Sequence, residues 1–274
     1  MNALTRMHPL TSFAWLVLTL WVVVFSRNPI VLTESFAAAV LCCVLAGKGS
    51  AASGALCCAA AAALLNPFFS HGGEHALFFV GDAAFTLEAL AYGAAFGLML
   101  ASALLWGSFS TCFMTSDKYI WLFGRAFPAA GLTLSCALRF VPLFISRTRE
   151  FFAARRDSSL RGMLKAFAAS VGYSAEQALV SAQGMRSRGY GSGKRTFYSL
   201  WRFTSRDAFH LSAVAVLGIL SAVLGSFAGK FYYYPALGRL PLGAADVTLY
   251  LLYGLLCNFP VIVILSDRRR AISS

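Results

Sequence analysis

The sequence predicts an all-α membrane protein, with about six transmembrane helices and a cytoplasmic segment of two to three amphipathic helices. Three observations lead there. Of the 274 residues, 58% are hydrophobic and 12% charged, and a soluble domain carries about twice that charge. The mean hydropathy is +0.69. The charges that remain are strongly basic, 23 Lys+Arg against 11 Asp+Glu for a net +12. This composition excludes an ordinary soluble globule and also a disordered chain, which needs low hydrophobicity and high charge.

The spans follow from charge-free apolar stretches, since about 20 such residues cross a bilayer. Leu10 to Ser26 is the first, at the short limit, and is expected to stay uncleaved because no small-x-small site precedes Arg27. Asn28 to Gly47 is the second and carries one acid, Glu34. Gly49 to Phe69 is the third, and its Ala59–Ala63 run suits close helix packing in lipid. Ala83 to Trp106, with Glu88 near its start, is the fourth. Ala208 to Phe227 and Gly243 to Ser266 are the last two.

Pro128 to Ser146 reads differently. Ser135, Arg139, Pro142, Ser146 and Arg149 recur at helical spacing, with Leu134, Ala137, Leu138, Val141 and Phe144 largely opposite. This is an amphipathic helix, better suited to lying on a membrane or under a bundle than to spanning alone.

Charge sets the orientation. Residues 147–206 hold 12 of the basic residues against Glu150, Asp157 and Glu176, a net +9. Lys and Arg collect on the cytoplasmic side, so this segment is expected inside, as is the tail Asp267-Arg268-Arg269-Arg270. Six spans then place both termini inside. If Pro128–Ser146 also spans, the N-terminus lies outside. The chain divides into N-terminal spans over 1–116, a basic helical segment over 117–207, and a closing hairpin over 208–274. No basic run is interleaved with stacking aromatics in a polar domain, so nucleic acid is not an expected partner.

Two motifs suggest chemistry. His71-Gly-Gly-Glu74-His75 matches H-x-x-E-H, whose two His and Glu serve zinc proteases when they share one helical face. The paired glycines and the preceding Asn66-Pro67 point instead to an external loop. A membrane-embedded metalloenzyme using His71, Glu74 and His75 is the alternative function; otherwise no metal site is expected. None of the seven cysteines forms a C-x-x-C. Gly189-Tyr-Gly-Ser-Gly193-Lys194-Arg195-Thr196 fails as a phosphate loop, because G-x-x-x-x-G-K-[ST] requires Gly at 188 and Ser or Thr at 195. No nucleotide or other cofactor is expected in this chain, so any ATP would be bound by partner subunits.

The segment Tyr173 to Tyr190 is the most informative. Ala175, Ala178, Leu179, Ala182 and Met185 form a small-residue apolar face at helical spacing, flanked by Gln177, Ser181 and Gly184. The helix is expected to stop at Gly189 in a left-handed cap. Arg186 and Arg188 then sit in the last turn, where carbonyls favour cations. The reading is either a solvated basic helix or a docking helix with an Arg fork for a partner's carboxylates.

These residues carry a resemblance. Pro67-Phe-Phe-Ser-His-Gly-Gly-Glu, Phe85-Thr-Leu-Glu88-Ala-Leu-Ala-Tyr-Gly93, Leu138-Arg139-Phe-Val-Pro142-Leu-Phe, Met185-Arg-Ser-Arg188-Gly189-Tyr190-Gly191 and Arg202-Phe-Thr-Ser-Arg206-Asp207 occur in this order. The chain resembles the transmembrane T component of energy-coupling factor transporters, the group that includes the cobalt-transporter Q subunit. The resemblance implies a non-catalytic subunit of an ATP-driven importer in a prokaryotic cell membrane. Its implied partners are two cytosolic ABC ATPases, a membrane S component that holds a vitamin or metal ion, and the lipid bilayer. It also implies two Ala-Arg-Gly-type motifs at the ends of two coupling helices. The second maps to Ser187-Arg188-Gly189, with Arg186 beside it. The first falls at Arg161-Gly162, or at Arg155 or Arg156 within Ala154-Arg155-Arg156-Asp157.

Overall fold

The computed structural model describes residues 2–69, 75–80, 83–154, 159–190, 192–193 and 201–273. Ten helices occupy most of this: α1 (Asn2–Arg6), α2 (Pro9–Phe25), α3 (Pro29–Leu45), α4 (Gly49–Phe69), α5 (Leu87–Ser110), α6 (Ser116–Ala126), α7 (Pro128–Ala154), α8 (Leu160–Ser187), α9 (Ser205–Phe227) and α10 (Ala244–Ser273). The fold is that of an all-α membrane protein. Five helices, α4, α5, α7, α9 and α10, are long and apolar enough to cross a bilayer, and α2 and α3 are shorter apolar helices.

Two expectations are corrected. Ala83–Thr86 does not begin a span. It is a short strand, β2, antiparallel to β1 (Ala76–Val80), so part of the expected external loop is a β-ladder. Thr86 instead caps α5, its Oγ1 accepting from the Ala89 N–H at 3.2 Å. Apolarity alone cannot separate a strand from a helix, and the aromatic-rich Ala76–Val80 run found a partner across Gly81-Asp82. The second correction concerns α7, which runs past Ser146 to Ala154 and is by length and composition able to span.

The chain forms two compact units, one of Met1–Thr115 with Trp201–Ser274 and one of Ser116–Leu200. In the first unit the helix starts follow from their caps. Asn28 Oδ1 accepts from the Ile30 N–H at 2.9 Å, with Pro29 at the first helical position of α3. Thr204 and Asp207 form a reciprocal capping box on α9. Trp201–Asp207 therefore belongs with this unit, although charge had grouped it with the basic segment.

The core of this unit is aromatic. Trp15 and Trp106 meet edge to face at 5.3 Å, and Trp15 meets Phe113 at 5.8 Å. The Trp106 indole N–H donates to Ser35 Oγ at 3.0 Å, tying α5 to α3. Helices α4 and α5 pack through small residues, with Gly93 against Ala63 and Gly97 against Ala59. This is a G-x-x-x-G surface lying on an A-x-x-x-A surface, which allows close backbone approach.

Side-chain contacts define two ends of the unit. At one end, the His8 N–H donates to Asp207 Oδ1 at 3.3 Å, and Lys48 Nζ donates to the Ser108 carbonyl at 3.0 Å and to Thr111 Oγ1. At the other, Asn28 Nδ2 donates to Tyr250 Oη at 2.7 Å and to the Gly229 carbonyl at 3.2 Å. There too, Tyr233 Oη donates to the Arg27 carbonyl at 3.0 Å. Six apolar helices thus alternate between these ends. The starts of α2 and α9 and the ends of α3 and α5 share the first end. The chain leaves this unit at Thr115 and re-enters at Trp201, also at that end.

Candidate coupling site

The second unit is built from α6, α7 and α8. Helix α8 begins at a capped turn, where Ser159 Oγ accepts from the Gly162 N–H at 3.2 Å. It ends in a Schellman motif. The Gly189 N–H donates to the Arg186 carbonyl and the Tyr190 N–H to the Met185 carbonyl, both at 3.0 Å. Gly189 adopts φ +79°, the left-handed conformation that glycine takes without strain. Arg188 is the cap residue and Arg186 lies in the last turn. Both guanidinium-bearing side chains are exposed, on the helix end where cations are favoured.

Of the small-residue face, Ala175, Ala178, Leu179 and Ala182 are exposed and Met185 half-buried. Beside it, α7 and α8 enclose two cavities. One, about 600 Å³, is lined by Arg139, Pro142 and Ser146 of α7 and by Gln177, Ser181 and Arg188 of α8. The polar stripe read along α7 therefore faces the end of α8, and two arginines border one cavity. The other, about 510 Å³, is apolar, with Val141 and Phe144 opposite Val171 and Ala178. Between the two helices the Arg147 guanidinium lies 5.6 Å from the Tyr173 ring centre, while its Nη1 bonds Glu150 at 2.7 Å within α7.

The candidates for the first motif are separated by the fold. Arg161 and Gly162 lie on the first turn of α8, not at a C-terminal helix end. At 1.5 Å per residue, the length of α8 puts Arg161 roughly 40 Å from Arg188. Arg155 and Arg156 follow directly in sequence on Ala154, the last residue of α7, but lie outside the described residues. Helix α6 adds a cation that sequence reasoning passed over. Lys118 is fully buried, and burial lowers its pKa to about 8.

The H-x-x-E-H motif is only partly placed. His71 and Glu74 lie outside the described residues. His75 is exposed, its backbone N–H donating to Glu88 Oε2 at 3.4 Å and its Nδ1 lying 3.8 Å from Glu88 Oε1. Glu88 is 1% exposed. Among the described residues, no group of three His, Cys, Asp or Glu side chains is arranged to hold a metal. Within the spans, Glu34 is set against Gly254, where any side chain would collide, and its buried Oε2 has no hydrogen-bond partner among the described residues.

No protein-family model and no curated protein matches this chain.

Proposed function

We propose that this chain is the membrane scaffold and coupling subunit of an energy-coupling-factor importer. In this reading two cytosolic ABC ATPases engage the Arg-bearing ends of the coupling helices. Their ATP-driven opening and closing moves the helices, and the motion passes to an S component carrying a vitamin or metal ion. The end of α8 supports the reading most strongly. There a Schellman cap presents Arg186 and Arg188 to solvent, next to an exposed face of small residues. A guanidinium at such a rim suits a bidentate carboxylate partner.

The orientation belongs to the same proposal. Arg6, Lys48, Arg202 and Arg206 lie toward the end of the helical bundle where the second unit is connected, and Arg27, Lys230 and Arg239 toward the other. With the six apolar helices of the first unit counted as the spans and α7 as not crossing, the positive-inside tendency puts the first end in the cytoplasm, with both termini inside a prokaryotic cell membrane. Single-cysteine labelling in a Cys-free background checks this. A cysteine at Ser192 should label only from the inside and one at Ala236 only from the outside.

Purification of the tagged chain in mild detergent from its own cells tests the function. Two ATPase chains and a small apolar membrane protein should co-purify, and the chain freed of them should neither hydrolyse ATP nor move solute. Vigorous ATP hydrolysis by the isolated chain would refute the proposal. Stoichiometric zinc that depends on His71 would support the metalloenzyme reading instead.

A further inference from the structure

The start of α9 and the end of α10 enclose a cavity of about 540 Å³, wholly within the first unit. Its lining is graded by depth. Arg206 stands on the first turn of α9 and Ser266 at the end of the apolar part of α10, and His210 lies one turn further in, its ring edge to face with Phe259 at 5.7 Å. Phe209 and Ile262 flank His210 at about its level, and Ala213 and Phe259 close the inner end one turn deeper. One helical turn rises about 5.4 Å, so polar and apolar zones are ordered as they are in an amphiphile.

In sequence the outer zone is net positive, with Arg202, Arg206 and Arg268-Arg269-Arg270 against Asp207 and Asp267, a net +3. Arg206 is exposed and makes no ion pair among the described residues. The neighbouring Asp207 carboxylate is turned to the α9 cap, accepting from Thr204 N–H at 3.0 Å, Thr204 Oγ1 at 2.6 Å and His8 N–H at 3.3 Å, and keeps its negative charge. In sequence, Arg202 flanks α9, and Arg268-Arg269-Arg270 follow Ser266 by two to four residues along α10. Basic pockets between apolar helices at their polar ends bind anionic lipid headgroups.

We infer that this cavity holds an anionic phospholipid, its phosphate on Arg206 and its acyl chains along Phe209, Ile262 and Phe259. Free phosphate would leave the apolar inner wall unused. Phe209 is 70% exposed and Ile262 49%, so the wall opens outward to the bilayer. A zwitterionic lipid would bring its own cation to the arginines. The inference is independent of the coupling proposal, because it uses only α9 and α10.

The test is native mass spectrometry of the full chain in neutral detergent, titrated with phosphatidylglycerol, phosphatidylcholine or inorganic phosphate. Phosphatidylglycerol should be retained selectively. Arg206→Gln should weaken retention about five-fold, the effect of one interfacial basic residue, while Arg206→Lys should keep most of it. Ala213→Trp, which fills the cavity without changing charge, should expel the lipid, and Arg239→Gln should change nothing. Melting temperatures of all variants confirm that they are folded. Equal retention of phosphatidylcholine, displacement by inorganic phosphate, or undiminished binding in Ala213→Trp would each overturn the inference. The last outcome would mean that surface charge alone attracts the lipid.

Discussion

The indole N–H of Trp15 donates to the backbone carbonyl of Leu256 at 2.8 Å, and Leu256 lies four residues before Pro260 within α10. Proline has no N–H, so inside a helix it leaves the carbonyl four residues earlier without its usual donor. In a span there is no water to replace it. Trp15 supplies the donor from α2, and the Pro260 defect thereby becomes a joint between the first and last apolar helices. Trp15→Phe should therefore lower stability by about 1–3 kcal/mol. Pro260→Ala restores an N–H to α10, and in that background Trp15→Phe should cost about 1 kcal/mol less. Detergent-solubilised melting of the four proteins gives the double-mutant cycle. Strictly additive losses would show that Trp15 acts through packing alone.

The α4–α5 contact makes a sharper packing prediction. A Cβ at Gly97 would strike the Ala59 carbonyl, whereas one at Gly107 on the same helix meets nothing within 4 Å. Gly97→Ala should push the helices apart and cost about 1–3 kcal/mol. Gly107→Ala should be neutral or stabilising by up to about 1 kcal/mol, because alanine is the better helix former. The pair is read by thermal melting. Equal effects would mean that α4 and α5 are held by something other than small-residue contact.

Lys118 gives the second unit a pH signature. Its folded pKa, lowered by burial to about 8, lies below its ordinary 10.5. Between those values the unfolded chain holds the proton and the folded chain does not, so stability rises with pH across that window. Below about 8 both states hold the proton, and this group no longer makes stability depend on pH. Lys118→Met should remove this rise. The check is the difference in melting temperature between wild type and variant at pH 7.5 and pH 10. A difference that does not change with pH would contradict the burial argument.

Much of this architecture was legible because lipid leaves few choices. The boundaries of α3 and α4 follow charge-free runs opening at Asn28-Pro29 and Gly49, whereas α9 starts three residues before the expected Ala208, at its Thr204 cap, and α10 continues past Ser266 through charged residues to Ser273. The end of α8 was legible for a local reason, since only Gly189 there takes the left-handed conformation readily. The β1–β2 pair is not legible from hydropathy, which carries no sign of the Gly-Asp turn signal between two short apolar runs. The placement of Arg161 was also readable, because Ser159 is a helix-start residue two positions before it. Contacts such as His8 with Asp207, 199 residues apart, have no local signature. They arise only when six helices close on one another.

The residue that bears most on function is Arg188. If α8 docks in an ATPase groove, its guanidinium meets an acidic group there, and removing one member of a desolvated charge pair costs about 2–5 kcal/mol. That is a loss of roughly thirty- to several-thousand-fold in affinity. Arg188→Ala should thus abolish stable ATPase association and uptake while leaving the helical bundle folded, since the side chain is exposed in the isolated chain. Arg188→Lys should recover only part, because an ammonium cannot make the bidentate fork. Arg186→Ala, two positions away and on another side of the helix, should be milder. The first motif is located by the same measurement. If Arg161→Ala is as damaging as Arg188→Ala, the start of α8 carries it. If Arg155→Ala or Arg156→Ala is the damaging change, the motif lies at the end of α7, and the two contacts belong to the C-terminal ends of two successive helices. Undiminished co-purification and uptake with Arg188→Ala would remove the residue-level basis for coupling through α8.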